Sequence, residues 1–421
     1  MTGALAAGRR LRATLLPMLA LLPVPMPMPA LALVLALWLG GVPASRAAPP
    51  PLPRLPALGL ASDGVTVSGL SSGAYMAGQF EVAHAASLAG AALLAGGPYA
   101  CSRGSLSTAM YQCSCPANPD AAQRLRNLIP GAGCSLLAPS VLAVFADGAL
   151  QANQGAVDDI AQLARHRVWL FSGGQDKVVA PALVDAAEAF YRRHGVPPEQ
   201  LHHTRVAAAG HGLPAPDAPV ACRLTATPYL TRCPGQDAAG ELLAWLYGSA
   251  PGAALAPPAA ARAGSLPAGL QRFSQQPYRQ AGVFDGLDDS GWLYRPAACA
   301  PGQGGAPCRL HVVFHGCGQG QSASGPGGRP IGAQFVAGAG YNRWAETNRI
   351  VLLYPQVRAS TAARPGASYQ LNPEGCWDFW GYTDPAESLG GPQRRFASRS
   401  AAQIRVVKAM VDALLLRPTP P

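Results

Sequence analysis

Val65-Thr66-Val67-Ser68-Gly69-Leu70-Ser71-Ser72-Gly73 opens on a β-branched run, closes that run on a glycine, and passes into Gly73 to Ala86, whose apolar residues suit a helix. The stretch therefore reads as strand, tight turn and helix. Gly69 to Gly73 also matches G-x-S-x-G, a turn that lifts a serine hydroxyl clear of a sheet and needs small flanking residues so that the backbone can approach itself. In a chain with 48 Gly the bare pattern is weak. Its position between strand and helix is what marks Ser71 as a candidate nucleophile, against a merely structural glycine turn.

Working outward, Ala91 to Ala95 and Val168 to Phe171 read as strands buried on both faces, and a fourth strand is predicted near Thr204 to Ala208. Pro181 to His194 reads as a helix with proline in its first turn and Gly195 at its end, and Ala238 to Tyr247 as another, closed by Gly248. Strands alternating with helices imply an α/β fold with a mostly parallel sheet and helices on both faces. From Ser249 to Gly269 the composition shifts to Ala, Pro and Gly, which is linker chemistry. Beyond it, Gly291 to Tyr294, Leu310 to Phe314 and Ile350 to Tyr354 read as strands. A closing helix around Ser400 to Leu416 places Ile404, Val407, Val411, Leu414 and Leu415 on one face. No internal repeat is visible.

The 421 residues, 49% hydrophobic and 13% charged, can bury one large core or two smaller ones, and a wholly disordered chain or a short disulfide-stapled peptide is excluded. The net charge of +10 is almost all arginine, scattered rather than striped, with lysine only at Lys177 and Lys408, so no nucleic-acid partner is expected. Ten cysteines without repeated zinc-type spacing favour disulfides over metal, and hence an oxidising compartment. Arg9, Arg10 and Arg12 precede an uncharged run from Ala13 to Ala44 that ends in Ser45-Arg46-Ala47, so residues 1–47 read as a secretory signal peptide and the protein as extracellular or periplasmic. Pro17, Pro23, Pro25, Pro27 and Pro29 make a single straight transmembrane helix a poor reading. A start at Met26 or Met28 would leave Ala30 to Gly41 as an ordinary apolar signal core; the alternative is an uncleaved anchor. Residues 48–60 form a Pro-rich lead-in.

A serine hydroxyl needs an imidazole to take its proton, and the imidazole needs an acid to hold its tautomer. In the α/β-hydrolase arrangement acid and histidine follow the serine in that order, on loops at the C-terminal ends of strands. Asp176 follows Val168 to Phe171 through Ser172-Gly173-Gly174-Gln175, and His211 sits in Gly210-His211-Gly212 after the fourth strand. The rivals are Asp185, inside a predicted helix, and His202 and His203, expected to precede their strand at its wrong end. Attack on an ester carbonyl also needs two N–H donors for the oxyanion. Ser72 supplies one. The second normally comes from an H-G loop upstream of the elbow, yet here His315-Gly316-Cys317 lies far downstream, at the exit of Leu310 to Phe314. The simplest inference is a circular permutation, with residues 249–269 joining the usual C-terminal helix to the usual N-terminal strands and 61–417 forming one catalytic domain.

The motifs Ser68-Gly69-Leu70-Ser71-Ser72-Gly73-Ala74-Tyr75-Met76, Ala95-Gly96-Gly97-Pro98-Tyr99, Gly173-Gly174-Gln175-Asp176, His315-Gly316-Cys317 and Asn372-Pro373-Glu374-Gly375-Cys376-Trp377-Asp378 closely resemble the single-domain extracellular poly(3-hydroxybutyrate) depolymerases. The resemblance runs from about Val65 to the C-terminal helix and implies a circularly permuted α/β-hydrolase fold. It assigns Ser71 as nucleophile, Asp176 as acid and His211 as base, the N–H groups of Ser72 and Cys317 as the oxyanion hole, and a Cys317–Cys376 disulfide. It also implies that Trp377, with Tyr75 nearby, contacts the polymer. Core packing is the alternative for Trp377, Phe379, Trp380 and Tyr382. Cys222 with Cys233 and Cys299 with Cys308 are close enough in sequence to pair, whereas Cys101, Cys113, Cys115 and Cys134 crowd together without an assignment.

The expected activity is hydrolysis of poly(3-hydroxybutyrate) or its oligomers through an acyl-enzyme. No metal or organic cofactor, no stable membrane partner and a monomeric state are expected. No separate module for adsorbing to a solid polymer is visible, so soluble short-chain or feruloyl-type esters are the competing substrates. A catalytically dead, secreted binding protein is the reading from another class.

Overall fold

The computed structural model describes residues 50–114, 137–248, 254–260, 267–301, 303–360, 370–385 and 395–418. The expected signal segment, Cys115, Cys134 and parts of the 249–269 joint lie outside the described residues. The chain divides into Met1–Pro50 and Pro51–Pro421, and the architecture below belongs to the second unit. No helix among the described residues is long and apolar enough to cross a membrane.

Eleven strands are described: β1 (Val65–Leu70), β2 (Gly90–Leu94), β3 (Arg167–Gly173), β4 (Leu201–Val206), β5 (Leu213–Pro214), β6 (Val220–Ala221), β7 (Leu230–Arg232), β8 (Leu270–Ser274), β9 (Ser290–Tyr294), β10 (Arg309–Phe314) and β11 (Ile350–Tyr354). The principal sheet has eight of them in the order β4-β3-β2-β1-β10-β11-β9-β8. Strands β4, β3, β2, β1, β10 and β11 run parallel, while β9 is antiparallel to both β11 and β8. Counted from β8 to β11 and then from β1 to β4, the spatial order from the β8 edge becomes 1-2-4-3-5-6-7-8. That is the order of an α/β-hydrolase sheet, entered in the middle. The fold is a circularly permuted α/β-hydrolase, and the elbow follows what would be its fifth strand.

The helices are α1 (Ser72–Ala83), α2 (Leu106–Tyr111), α3 (Pro139–Ala152), α4 (Pro181–Arg193), α5 (Ala238–Tyr247), α6 (Gln334–Gly338), α7 (Tyr341–Asn348) and α8 (Ala402–Leu415). Two apolar cores form around the sheet. One gathers Val65 and Val67 of β1 with α1, α8 and Leu310 and Val312; the other gathers Ala92 and Leu94 with Trp169, Phe171, α5 and Val313. Alternation along each strand sends successive side chains into opposite layers, which is why the central strands are apolar on both faces. Ile404, Val407, Val411 and Leu414 of α8 are buried as their spacing predicts, and Leu415 packs at the edge of the same core.

Two polar residues in the central strand β1 need an account. Thr66 Oγ1 and Ser68 Oγ lie 2.7 and 2.8 Å from the two ring nitrogens of His311, in the adjoining strand. Burial pushes the His311 imidazole down to about 3, so it stays neutral and offers one donor and one acceptor to these hydroxyls.

The fourth strand begins at Leu201, three residues before its predicted start, so His202 and His203 lie on the strand and not ahead of it. Residues 254–260 are fastened to α7: Ala256 N–H donates to Asn348 Oδ1 at 2.7 Å and Ala259 N–H to the Arg343 carbonyl at 2.9 Å. The described lead-in forms no regular element, yet Leu55 and Leu60 are buried in the first core and the Pro53 carbonyl accepts the Ser274 N–H.

Candidate active site

Ser71 occupies the turn between β1 and α1 with φ 58° and ψ −121°, a left-handed conformation that costs a non-glycine residue roughly 1–3 kcal/mol. Its N–H is held by the Leu94 carbonyl of β2 at 2.9 Å. A Cβ on Gly69 would collide with the backbone of Gly73, and one on Gly73 with the Phe314 and His315 carbonyls. The two motif glycines are thus required by close approach. Gly73→Ala is expected to lower stability by about 1–3 kcal/mol or more, since backbone must shift to admit the methyl; denaturant unfolding that finds the variant as stable as the wild type would contradict this packing.

Asp176 closes the turn at the end of β3, where its N–H bonds the Gly173 carbonyl at 3.0 Å. Its Oδ1 accepts the N–H groups of Val178 and Val179, both at 2.8 Å, and its Oδ2 lies 2.8 Å from His211 Nδ1. The carboxylate is therefore fixed by backbone before it fixes the imidazole. His211 follows β4 and is seated by the Cys222–Cys233 disulfide, by Gly210 N–H on the Cys222 carbonyl, and by its own N–H on Thr225 Oγ1 at 3.1 Å. Ser71, Asp176 and His211 are all buried, Ser71 being 9% exposed. Among the described residues Ser71 Oγ has no hydrogen bond, to His211 or to any other group. Such contacts are often long in free enzymes and tighten when substrate binds.

The H-G-C loop comes up against the elbow, for a Cβ on Gly316 would lie 3.5 Å from Ser71 Cβ. Cys317 is disulfide-bonded to Cys376, and Trp377 N–H donates to Ser72 Oγ at 3.3 Å, which ties the bridged segment to the elbow. As the first residue of α1, Ser72 has an N–H without an intrahelical acceptor. Among the described residues neither that N–H nor the one of Cys317 is hydrogen-bonded, whereas Gly316 and Gly318 spend theirs on Gln319 Oε1 and the Glu374 carbonyl. Two N–H groups left without partners, on the elbow and on the loop packed against it, are the donors that a developing oxyanion requires.

His315 supports this loop from beneath. Burial, only partly opposed by the hydrogen bond to Gly316, pushes its imidazole down to about 4, so it is neutral at physiological pH. Nδ1–H then donates to the Gly316 carbonyl at 2.8 Å and Nε2 accepts the Val357 N–H at 3.2 Å.

Two expectations are corrected. Trp377 is 0% exposed, packed edge-on against Phe314 at 4.9 Å, so its ring lies beneath the loop instead of lining a cleft. Tyr75 is buried too, stacked on Phe379 at 4.6 Å with its hydroxyl donating to the Cys113 carbonyl. Core packing, the alternative for the aromatic cluster, describes Trp377, Phe379, Trp380 and Tyr382 alike. The rivals to Asp176 and His211 have other neighbours: Arg205 bridges Asp185 and Glu188, His203 Nδ1 lies 2.8 Å from Glu188, and the His202 ring lies 5.0 Å from that of Trp245. Burial alone would raise the Glu188 carboxyl, but hydrogen bonds from His203, Arg192 and Arg205 bring it down to about 2.

Sequence reasoning missed two residues. Tyr229, with φ 56° after the cis Thr227–Pro228 bond, sets its ring 6.3 Å from that of His211 and beside Gly318. Gln319 joins the two loops. The cysteine left unassigned at Cys101 pairs with Cys113, and Cys299 pairs with Cys308.

No protein-family model matches the chain. It is 36% identical over 360 residues to a poly(3-hydroxybutyrate) depolymerase of Delftia acidovorans, covering 85% of this chain and 61% of that protein. A polyhydroxybutyrate depolymerase of Talaromyces funiculosus is 31% identical over 365 residues, covering 85% and 93%. The chain thus spans about three fifths of the Delftia relative and nearly all of the fungal one. Among solved structures, a serine-to-alanine variant of a PHB depolymerase complexed with R3HB trimer aligns at a TM-score of 0.63, and a PHB depolymerase from Penicillium funiculosum at 0.65. Each is 26% identical and covers 86% of this chain and 98% of its own.

Proposed function

This chain belongs to the poly(3-hydroxybutyrate) depolymerase family, and from that membership and the geometry of the site we propose that it hydrolyses poly(3-hydroxybutyrate) or its oligomers through an acyl-enzyme. The observation that carries the reading is the Asp176–His211 hydrogen bond at the strand ends, together with an elbow serine against which the H-G-C loop packs at Gly316.

In this mechanism His211 Nε2 takes the Ser71 proton as Oγ attacks the ester carbonyl. Asp176 keeps Nδ1 protonated and stabilises the imidazolium. The oxyanion rests on the N–H groups of Ser72 and Cys317. His211 then protonates the departing hydroxyl of the next monomer unit, and water repeats the cycle on the acyl-enzyme to release the free acid. One oxyanion donor is worth about 10²–10³ in kcat, so the bridged loop is a large part of the catalysis.

The disulfides and the N-terminal signal pattern support secretion, with an aliphatic polyester or oligoester as the binding partner. N-terminal sequencing of the mature protein should find the chain beginning near Ala48. The substrate is tested by clearing of a turbid poly(3-hydroxybutyrate) suspension alongside hydrolysis of soluble aryl esters. Clearing with release of soluble acid is the expected result. Aryl ester hydrolysis without attack on the polymer or its soluble oligomers would reduce the protein to a short-chain esterase.

A further inference from the structure

We propose that Gln319 is a positioning residue that holds the Gly316–Cys317 peptide with the Cys317 N–H turned toward the Ser71 elbow and locks it to the loop beside His211; this rests on the reading of the site given above. Gln319 is buried, and its amide meets two opposite demands at once. Oε1 accepts the Gly316 N–H at 2.6 Å, while Nε2 donates to the Pro228 carbonyl at 2.8 Å and reaches the Tyr229 carbonyl at 3.4 Å. Its own N–H donates back to the Gly316 carbonyl at 3.2 Å, closing a tight turn.

The orientation of the oxyanion donor follows from these bonds. Gly316 C=O and Cys317 N–H belong to one planar trans peptide and point in opposite directions. The carbonyl is held by His315 Nδ1 and Gln319 N–H, so the Cys317 N–H faces away from both. At the other end, the Tyr229 carbonyl also accepts the Leu213 N–H just past His211, and the Tyr229 ring stands beside the imidazole. Gln319 thereby connects the donor for the oxyanion to the segment that seats the general base, across a gap of 91 residues in sequence. An apolar side chain would leave the Gly316 N–H and the Pro228 carbonyl without partners. The Gly316 carbonyl would keep His315 Nδ1 and the backbone N–H of residue 319, but the adjoining His315–Gly316 peptide would lose its anchor and the turn its tie to the loop beside His211, so the Cys317 N–H would lose its fixed direction. The loss falls on an interaction made chiefly in the transition state, so it appears in kcat and not in KM.

The test uses Gln319→Leu and Gln319→Met in the full chain, with a soluble aryl butyrate as substrate and an alkyl boronic acid as a probe that forms a tetrahedral adduct on Ser71. Since loss of a whole oxyanion donor costs about 10²–10³, misalignment should lower kcat about 10–100-fold, with KM changed less than about threefold and boronate affinity falling in parallel with kcat. Wild type and Ser71→Ala run beside them. If wild type is active and Ser71→Ala is not, the reading of the site stands and Gln319 is judged alone; if wild type hydrolyses no ester, it is that reading that fails. A folded Gln319 variant with wild-type kcat and boronate affinity overturns the proposal, as does a loss confined to melting temperature. Should neither variant fold, a crystal structure of the wild-type boronate adduct decides. The adduct oxygen should accept the Cys317 N–H with the Gln319 contacts intact, and a rotated peptide or broken contacts would overturn it.

Discussion

Ser71→Ala should fold and melt like the wild type while losing roughly 10⁴–10⁶-fold in kcat on any ester the protein turns over, the range expected when the nucleophile of a serine triad is removed. At 1.36 kcal/mol per decade this is about 5–8 kcal/mol of transition-state stabilisation. The neutral effect on folding follows from what the hydroxyl does at rest. Among the described residues Ser71 Oγ has no hydrogen bond, so its removal strands none of them, and alanine meets the same left-handed φ of 58° with the same Cβ. The neighbouring hydroxyl is different. Ser72 Oγ accepts the Trp377 N–H, so Ser72→Ala removes a tie between the elbow and the bridged segment. Thermal melts and steady-state kinetics on one preparation check both halves of the expectation. A folded Ser71→Ala enzyme with undiminished turnover would move the chemistry to another residue.

The features that could be read from sequence are those whose causes are local or strongly patterned. Strands β1, β2, β3, β10 and β11 lie inside the sheet and are buried on both faces, so they stand out as apolar or β-branched runs. Edge strands carry a weaker signal. β8 exposes Gln271 and Arg272 and went unseen, and β4 holds His202, His203 and Arg205 within a strand that the apolar pattern placed three residues late. Helix α3 was missed because Val141, Val144 and Phe145 are exposed, which blurs the apolar stripe that would have marked it. The permutation was legible because a loop motif occupied the wrong place along the chain, and sheet order is indifferent to where the chain is opened.

Within the site, Asp176 and His211 could be located from the ends of their strands. Gln319 could not, because its partners at Pro228 and Tyr229 lie 91 and 90 residues away in sequence and are brought near only by tertiary folding. Trp377 exposes the opposite failure. Residue type alone cannot tell an aromatic that greets a substrate from one that fills a core, and the buried ring against Phe314 decides for the core.

Asp176→Asn should be nearly as damaging to turnover as loss of the serine, at about 10⁴-fold in kcat, and for a reason visible in the hydrogen bonds around the side chain. Oδ1 of Asp176 accepts two backbone donors, the N–H groups of Val178 and Val179 at 2.8 Å each. An asparagine at this position must place its carbonyl oxygen there, because an amide N–H₂ cannot accept. Its N–H₂ group is then turned toward His211 Nδ1, where Oδ2 stood at 2.8 Å. Nδ1 is obliged to accept, so the single proton of the neutral imidazole moves to Nε2. A protonated Nε2 cannot take the proton of Ser71, although the ring has not moved. The backbone bonds that make Asp176 a rigid anchor thus also fix which way its amide analogue fails. The variant should keep the wild-type fold and KM and lose kcat, which a full kinetic profile and the ring ¹⁵N shifts of His211 would report together. A variant whose resting histidine keeps its proton on Nδ1, or whose kcat falls less than tenfold, would remove Asp176 from the role of orienting acid.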